Sequence, residues 1–340
     1  NSTVGVGGIN STTTFPTTTI KYARSSGYGS KMIVSNANNN FGTMNLAQQK
    51  LSCAATPAAN MSSGSAGTFW CFNLRVEACV SVPVGAATPD VGLEANCENS
   101  YSGVPKPEGL IQNYSKTLRF GAFGYLNLTG NTRNGGVLRS AMKNVNPLLA
   151  PTIANAAKEW DPATGIMIAN PDPADATASG VTNSGLMNYL NKFGYDAGYK
   201  GNDPVSELYY AALLYLRGKA PPPEYSSSPT AAEKDGFPVI TGTNLLAGAA
   251  RDPLINSCQK NFILGIGDIN THCDGNLPGS TKAGCTGGTP SDPNSLNVQT
   301  LWDTTRGLEG LSDTGWVGGS SNGTPYMAGL AHWANTQDIR

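Results

Sequence analysis

The stretch Cys258-Gln-Lys-Asn-Phe-Ile-Leu-Gly-Ile-Gly-Asp-Ile-Asn-Thr-His-Cys-Asp274 constrains the fold of this chain most. Its centre, Phe262 to Ile266, is a short uncharged apolar run, the pattern of a strand buried on both faces. The run stops at Gly267 and Asp268. A carboxylate at the end of a buried strand is costly unless something there uses it. Ligands of open α/β sheets bind outside the carboxyl ends of the strands. Asp268 is therefore the first candidate functional residue, and its plain alternative is a cap for the following turn.

The strongest helix signal is Asp203-Pro-Val-Ser-Glu-Leu-Tyr-Tyr-Ala-Ala-Leu-Leu-Tyr-Leu216. Asp203 is expected to cap it, with Pro204 at the first helical position and Glu207 at the positive end. Arg217-Gly218 and the prolines 221 to 223 end it. Further helices are expected over Pro107 to Tyr114, Ala150 to Trp160, Asn183 to Phe193 (capped by Asn183 or Ser184) and Pro325 to Asn335. Gly136 to Asn144 reads as a loop or short helix, and Asn170 to Asp175 as a turn. Strands are expected at residues 17 to 22, Lys31 to Ser35, Cys71 to Cys79 and Leu118 to Leu126, the last two from their alternation. The chain thus divides into a β-rich region, 1–105, and an α/β region, 106–340, with large loop insertions.

Charged residues make up 13% of the 340, with a net charge of −1. An average soluble domain carries roughly 25%. Neutral polar loops of Asn, Ser, Thr and Gly take their place, a balance that suits an extracellular protein. No dense Lys/Arg cluster suggests nucleic acid, and no apolar run approaches the ~20 residues of a membrane helix. The first residues lack the pattern of a signal peptide, so the chain reads as mature or as part of something longer. Seven cysteines lie in two groups without a Cys-x-x-Cys. Disulfides in an oxidising compartment explain them better than zinc. Cys273 and Cys285 flank a Gly-rich loop and are the expected pair. Cys53, Cys71, Cys79 and Cys97 make two more in an open connectivity. Cys258 is left over, either free and buried or paired outside this chain.

Asp203 and Asp268 at one sheet edge, with Ser206, Asn270 or Thr271 nearby, suit a hard cation such as Mg²⁺, Mn²⁺ or Ca²⁺. For Asp203 the competing reading is the helix cap. A second acidic set, Asp161, Asp172 and Asp175, reads as turn chemistry around prolines. Hydrolysis lacks support: Gly323-Thr-Pro-Tyr-Met-Ala328 resembles a subtilisin-like nucleophile segment with Pro325 in place of the serine. No Gly-x-Ser-x-Gly occurs, and neither His272 nor His332 has a triad-like setting. The chain is therefore expected not to be an enzyme. Trp302, Trp316 and Trp333 would support an alternative role as a carbohydrate- or peptide-binding module.

Several stretches together resemble the PilC/PilY family of type IV pilus tip-associated adhesins of Gram-negative bacteria. They are Lys106 to Tyr114, Leu118 to Leu126, Gly135 to Arg139, Asn170 to Ala176, Asp203 to Leu213, Ser257 to Asp274 and Gly315 to Asn335. The match runs in order over roughly residues 70 to 340. It implies a von Willebrand factor A-like region without the later β-propeller. It also implies a role in surface attachment and pilus biogenesis, outside the cell at the pilus tip, with minor pilins and a host or abiotic surface as partners. In a von Willebrand A-like domain the cation is held by Asp-x-Ser-x-Ser, a Thr at a helix start and an Asp after a strand. Asp268 lies at the third position and Asp203 at the second, as a substitution. No Asp-x-Ser-x-Ser occurs in this chain.

Overall fold

The computed structural model describes residues 95–126, 133–192, 200–241, 251–267, 271–282, 296–312 and 323–340. It adds four strands nearer the N-terminus and single residues such as Cys79, Cys285 and Asp292. The chain forms two units, one of residues 1–98 and 105–107, the other of residues 99–104 and 108–340.

In the first unit β1 (Tyr22–Ser25), β2 (Lys31–Ser35), β3 (Met61–Ser62) and β4 (Thr68–Asn73) form one sheet in the order β1-β2-β4-β3. Its pairings are antiparallel, with Ile33 opposite Cys71 and Val34 opposite Trp70. The expected strand from Cys71 starts earlier, at Thr68, and residues 74–78 lie outside the described residues. The chain passes between the units in the hairpin of β5 (Cys97–Tyr101) and β6 (Val104–Pro107).

The second unit is mixed α and β. After α1 (Leu110–Tyr114) come β7 (Phe120–Gly124) and β8 (Val137–Lys143), which pair antiparallel, then a small hairpin of β9 (Leu148–Ala150) and β10 (Ile153–Ala154). Helices follow: α2 (Pro173–Ser179), α3 (Leu186–Lys192), α4 (Val205–Leu216), α5 (Ala231–Lys234), α6 (Val298–Leu308) and α7 (Tyr326–Thr336). Every pairing with a described register is antiparallel.

The core follows from α4. Tyr210 through Leu216 are all buried, so this helix is covered nearly all round. Tyr210, Leu213 and Leu214 pack with Trp302 of α6 and with Tyr326 and Leu330 of α7. Helix α6 begins where the Asn297 side chain accepts from Thr300 N at 2.9 Å. Its Val298, Trp302 and Thr305 fall on one buried stripe. Helices α6 and α7 touch at Gly329, where a Cβ would stand 2.7 Å from Trp302 N, so the close approach requires glycine. A second cluster joins Trp160, Leu186, Met187, Tyr189 and Phe237.

Four expectations fail. Ala150 to Trp160 is a hairpin and turns, because Asn155 and Asn146 side chains hold the backbone in turns. Gly136 to Asn144 is mostly strand β8. Its buried Arg139 masks the apolar pattern while donating to the carbonyls of Glu233 and Lys234 at 3.2 and 2.9 Å. The turn at Asn170 to Asp175 runs directly into α2, whose Pro173 starts the helix. Phe262 to Ile266 is neither strand nor buried: Phe262, Leu264 and Ile266 face solvent, and only Ile263 leans on the core. Helix α6 is an addition, in a stretch to which the sequence pattern assigns no element.

Candidate functional site

The start of α4 is where distant segments converge. Pro204 holds the cap position and makes no side-chain cap bond. Asp203, expected there, turns instead to His272, with Oδ1 and Nδ1 2.6 Å apart. Its carbonyl accepts from His272 N at 3.1 Å and from Thr271 Oγ1 at 3.0 Å. The cap comes from far along the chain. Asp274 Oδ1 accepts from Ser206 N at 2.7 Å and Glu207 N at 3.3 Å. Its Oδ2 accepts from Ser206 Oγ at 2.5 Å and Thr324 Oγ1 at 2.9 Å. Ser206 Oγ then accepts from Met327 N, in the first turn of α7, at 3.1 Å. One carboxylate thus joins the start of α4 to the start of α7, and its charge sits at the positive end of α4.

Glu207 forms the next tie. Its Oε1 accepts from Asn276 N at 2.7 Å and its Oε2 from Gly135 N at 2.5 Å. Gly135 has φ +78°, and a Cβ there would meet the Tyr225 ring at 1.9 Å, so only glycine fits. The Asn276 side chain is buried, and neither its Nδ2 nor its Oδ1 has a hydrogen-bond partner among the described residues.

Burial dominates the electrostatics. It pushes Asp274 from the ordinary 3.8 up to about 6, against the hydrogen bonds from Ser206 and Thr324. It pushes Glu207 from 4.5 up to about 8, opposed by the Asn276 N–H and reinforced by the Asp274 charge. It lowers Lys200 from 10.5 to about 8, opposed by Glu207 and Asp203. The Lys200 ammonium also lies 5.4 Å from the centre of the Tyr125 ring.

The same device starts α3. The sequence offers Asn183 or Ser184 as the cap, but Glu159 accepts from Leu186 N at 2.8 Å and Met187 N at 2.7 Å. Lys143 pairs with Glu159 at 2.9 Å and with Asp172 at 2.6 Å. Ser184 Oγ instead donates to Asn170 and accepts from Asp172 N.

The proposed ligand residues stand as follows. Asp268 and Asn270 lie outside the described residues. Asp203 Oδ1 faces His272 Nδ1, and the Ser206 hydroxyl donates to Asp274. Among the described residues no group of three or more His, Cys, Asp or Glu side chains is placed to hold a metal ion. Ser206 Oγ bonds Asp274, Thr324 and Met327 rather than an imidazole, so no serine–histidine pair forms here. Asp161 does turn work, accepting from Ala163 N and Thr164 N at 2.9 and 2.8 Å, while Asp175 pairs with Arg251.

Cys273, next to Asp274, is bonded to Cys285 as expected, and Cys79 is bonded to Cys97. Cys53 and the side chain of Cys71 lie outside the described residues. Cys258 is free and exposed, not buried. Trp302 is buried in a helix, and Trp333, also helical, lies under Arg217 with 5.2 Å from guanidinium to ring centre. Neither sits on a binding loop; Trp316 lies outside the described residues.

Nothing local in the sequence points to Asp274, Thr324 or Glu159 as helix-tying groups. The one available signal for Asp274 is its place beside a disulfide cysteine.

Residues 200–335, which contain the carboxylate of Asp274 and all of its hydrogen-bond donors, match a family model described as PilY1 homolog, second domain. The type IV pilus biogenesis factor PilY1 homolog of Xylella fastidiosa (strain Temecula1) is 38% identical over 297 residues, covering 77% of this chain and 24% of that protein. The chain belongs to the PilY1 family. It spans about a quarter of the length of that PilY1 relative. No solved structure matches the chain. Among the described residues no helix is long and apolar enough to cross a membrane.

Proposed function

We propose that this chain is part of a type IV pilus biogenesis factor and that it works by binding rather than by catalysis. The observation that carries this reading is the 38% identity to a protein of that name, together with the match of residues 200–335 to the PilY1 second domain. In this reading the protein is secreted, acts as an adhesin at the pilus tip, and contacts minor pilins on one side and a host or abiotic surface on the other. Disulfides fit an oxidising, extracellular setting. Helices tied by buried carboxylates and a covalent loop fit a body that transmits load between pilus and surface. A von Willebrand A-like sheet is part of the reading, as is a divalent cation at Asp268. Calorimetric titration of Mg²⁺, Mn²⁺ and Ca²⁺ into the chain and its Asp268→Ala variant tests the cation.

The function is tested in the bacterium that carries the protein, by in-frame deletion of residues 200–335. Surface pili, twitching motility and attachment are then measured. Loss of all three is expected, with restoration by the intact gene. Normal piliation and attachment in the deletion strain would remove the basis of the reading.

A further inference from the structure

One lysine and two carboxylates, carried by three separate parts of the second unit, meet at the start of α2. Lys143 closes β8, Glu159 lies just before Trp160, and Asp172 holds the cap position of α2. Lys143 Nζ is 2.7 and 2.6 Å from the two Asp172 oxygens and 2.9 Å from Glu159 Oε1. The amine nitrogen therefore faces the Asp172 carboxyl carbon, with a second carboxylate beside it. The Glu159 side chain is fully buried, and those of Lys143 and Asp172 are only 14% and 17% exposed. Each group is also fixed from outside the trio. Strand β8 places Lys143 opposite Phe120, the Leu186 and Met187 amides hold Glu159, and the Asp172 N–H donates to Ser184 Oγ. Aspartate is a preferred helix cap, yet the Asp172 side chain makes no cap bond to α2 and is turned to the lysine. Burial raises the Asp172 pKa, opposed by Lys143 and reinforced by the charges of Glu159 and Asp175. A dry, fixed amine against a carboxyl that favours its neutral form is more than an ion pair needs.

We propose that Lys143 and Asp172 condense into an intramolecular isopeptide bond, with Glu159 moving the protons. Glu159 takes one proton from the Lys143 ammonium and passes it to an Asp172 oxygen, leaving a neutral amine against a neutral carboxyl. Burial favours that neutral pair over separated charges. The Nζ lone pair then forms the bond to Asp172 Cγ. Glu159 carries a second proton from Nζ to the same Asp172 oxygen, the Cγ–O bond breaks, and that oxygen leaves as water. One ammonium and one carboxylate become one amide and one water; nothing is oxidised or reduced, and Glu159 ends as it began. In dilute solution the equilibrium favours hydrolysis, but effective molarities of about 10⁵–10⁸ M for fixed partners reverse it. The new amide N–H is left beside Glu159 Oε1, which accepts it. The bond joins residues 29 apart in sequence, the end of β8 and the cap of α2. Unlike the two disulfides, it does not open to a reductant. The inference stands on this geometry and not on the pilus reading.

Tandem mass spectrometry of the protein isolated from the bacterium that carries it, reduced and digested with trypsin, is the test. Cleavage after Lys158 parts Lys143 from Asp172 unless their side chains are joined. The expected product is the two peptides linked, lighter than their sum by one water. Lys143→Arg keeps the positive charge but has no amine to attack, so its peptides should be separate and at full mass. In Glu159→Gln, with folding checked by circular dichroism, joining in newly made protein should be slower by at least about 100-fold. Separate peptides at full mass from the folded native protein overturn the proposal and leave Lys143 in a plain ion pair. A water loss that persists in Lys143→Arg assigns the dehydration to a succinimide elsewhere, as at Asp274-Gly275, and also overturns it. Joining at the native rate in Glu159→Gln overturns the part given to Glu159. The native peptides decide the bond even where a variant fails to fold.

Discussion

Replacing Asp274 by alanine should separate the two helices it joins. The carboxylate accepts four hydrogen bonds, from Ser206 N, Ser206 Oγ, Glu207 N and Thr324 Oγ1. After truncation the two hydroxyls recover in part. They stand 3.5 Å from each other, and Thr324 Oγ1 keeps the Asp274 carbonyl at 3.1 Å. The two amides of the first turn of α4 do not recover. Orphaned buried donors cost about 1–3 kcal/mol each, so the loss should be about 3–5 kcal/mol. For a unit of this size that is a fall of roughly 10 °C in melting temperature. Asp274→Asn keeps the shape and one acceptor and should lose about 1–2 kcal/mol at pH 5.

The pH dependence has a definite sign. The folded pKa of Asp274 is raised, so its contribution is complete below about 3.8 and is lost as pH rises through about 6. A shift of this size corresponds to about 3 kcal/mol. The difference between Asp274→Asn and the native protein should therefore narrow from pH 4 to pH 7. Urea denaturation followed by far-UV circular dichroism at pH 4, 5, 6 and 7 measures both effects. If Asp274→Ala loses less than about 1 kcal/mol, the carboxylate is not what holds α4 to α7.

Other perturbations have equally definite outcomes. Glu159→Ala should lose about 3–5 kcal/mol in urea denaturation, because it orphans the Leu186 and Met187 amides and leaves Lys143 with Asp172 alone. Gly329→Ala should cost about 1–3 kcal/mol by the same assay, since its Cβ would press on Leu301 and Trp302 backbone at 2.8 and 2.7 Å. Glu207→Gln should flatten the stability profile between pH 4.5 and about 8, the window over which the raised pKa of Glu207 withdraws stability as pH rises. Reduction of Cys273–Cys285, 12 residues apart, should lower stability by about 2–3 kcal/mol in denaturation with and without reductant.

Local signals made part of this fold legible. Helices α4 and α7 were readable because each carries its apolar pattern and its breakers within a few residues, and β2 and β7 because their patterns are short and dense. The pairing of Cys273 with Cys285 was readable from proximity in sequence. Helix α6 was hidden among Gly, Ser and Pro, although Asn297 and the Val298–Trp302–Thr305 stripe announce it. Strand β8 was hidden by Arg139, whose guanidinium is satisfied by carbonyls that only the tertiary fold supplies. The caps of α3 and α4 are not legible locally, because the carboxylates that fill them are 27 and 68 residues away. Phe262 to Ile266 has the composition of a buried strand, but composition states what a segment needs and not which segment provides it.

The most direct measurement of whether this protein works by binding through an intact body is piliation and surface attachment in bacteria carrying Asp274→Asn, beside Asp274→Ala and the deletion of residues 200–335. A group used for catalysis or for a cation needs its charge, whereas a tie between helices needs mainly its shape and an acceptor. Asp274→Asn should therefore pilate and attach like the native strain, while Asp274→Ala should fall toward the deletion at elevated temperature. An Asp274→Asn protein that folds and is secreted normally, yet leaves the cells as deficient as the deletion, would contradict a purely structural carboxylate and a protein that acts by binding alone.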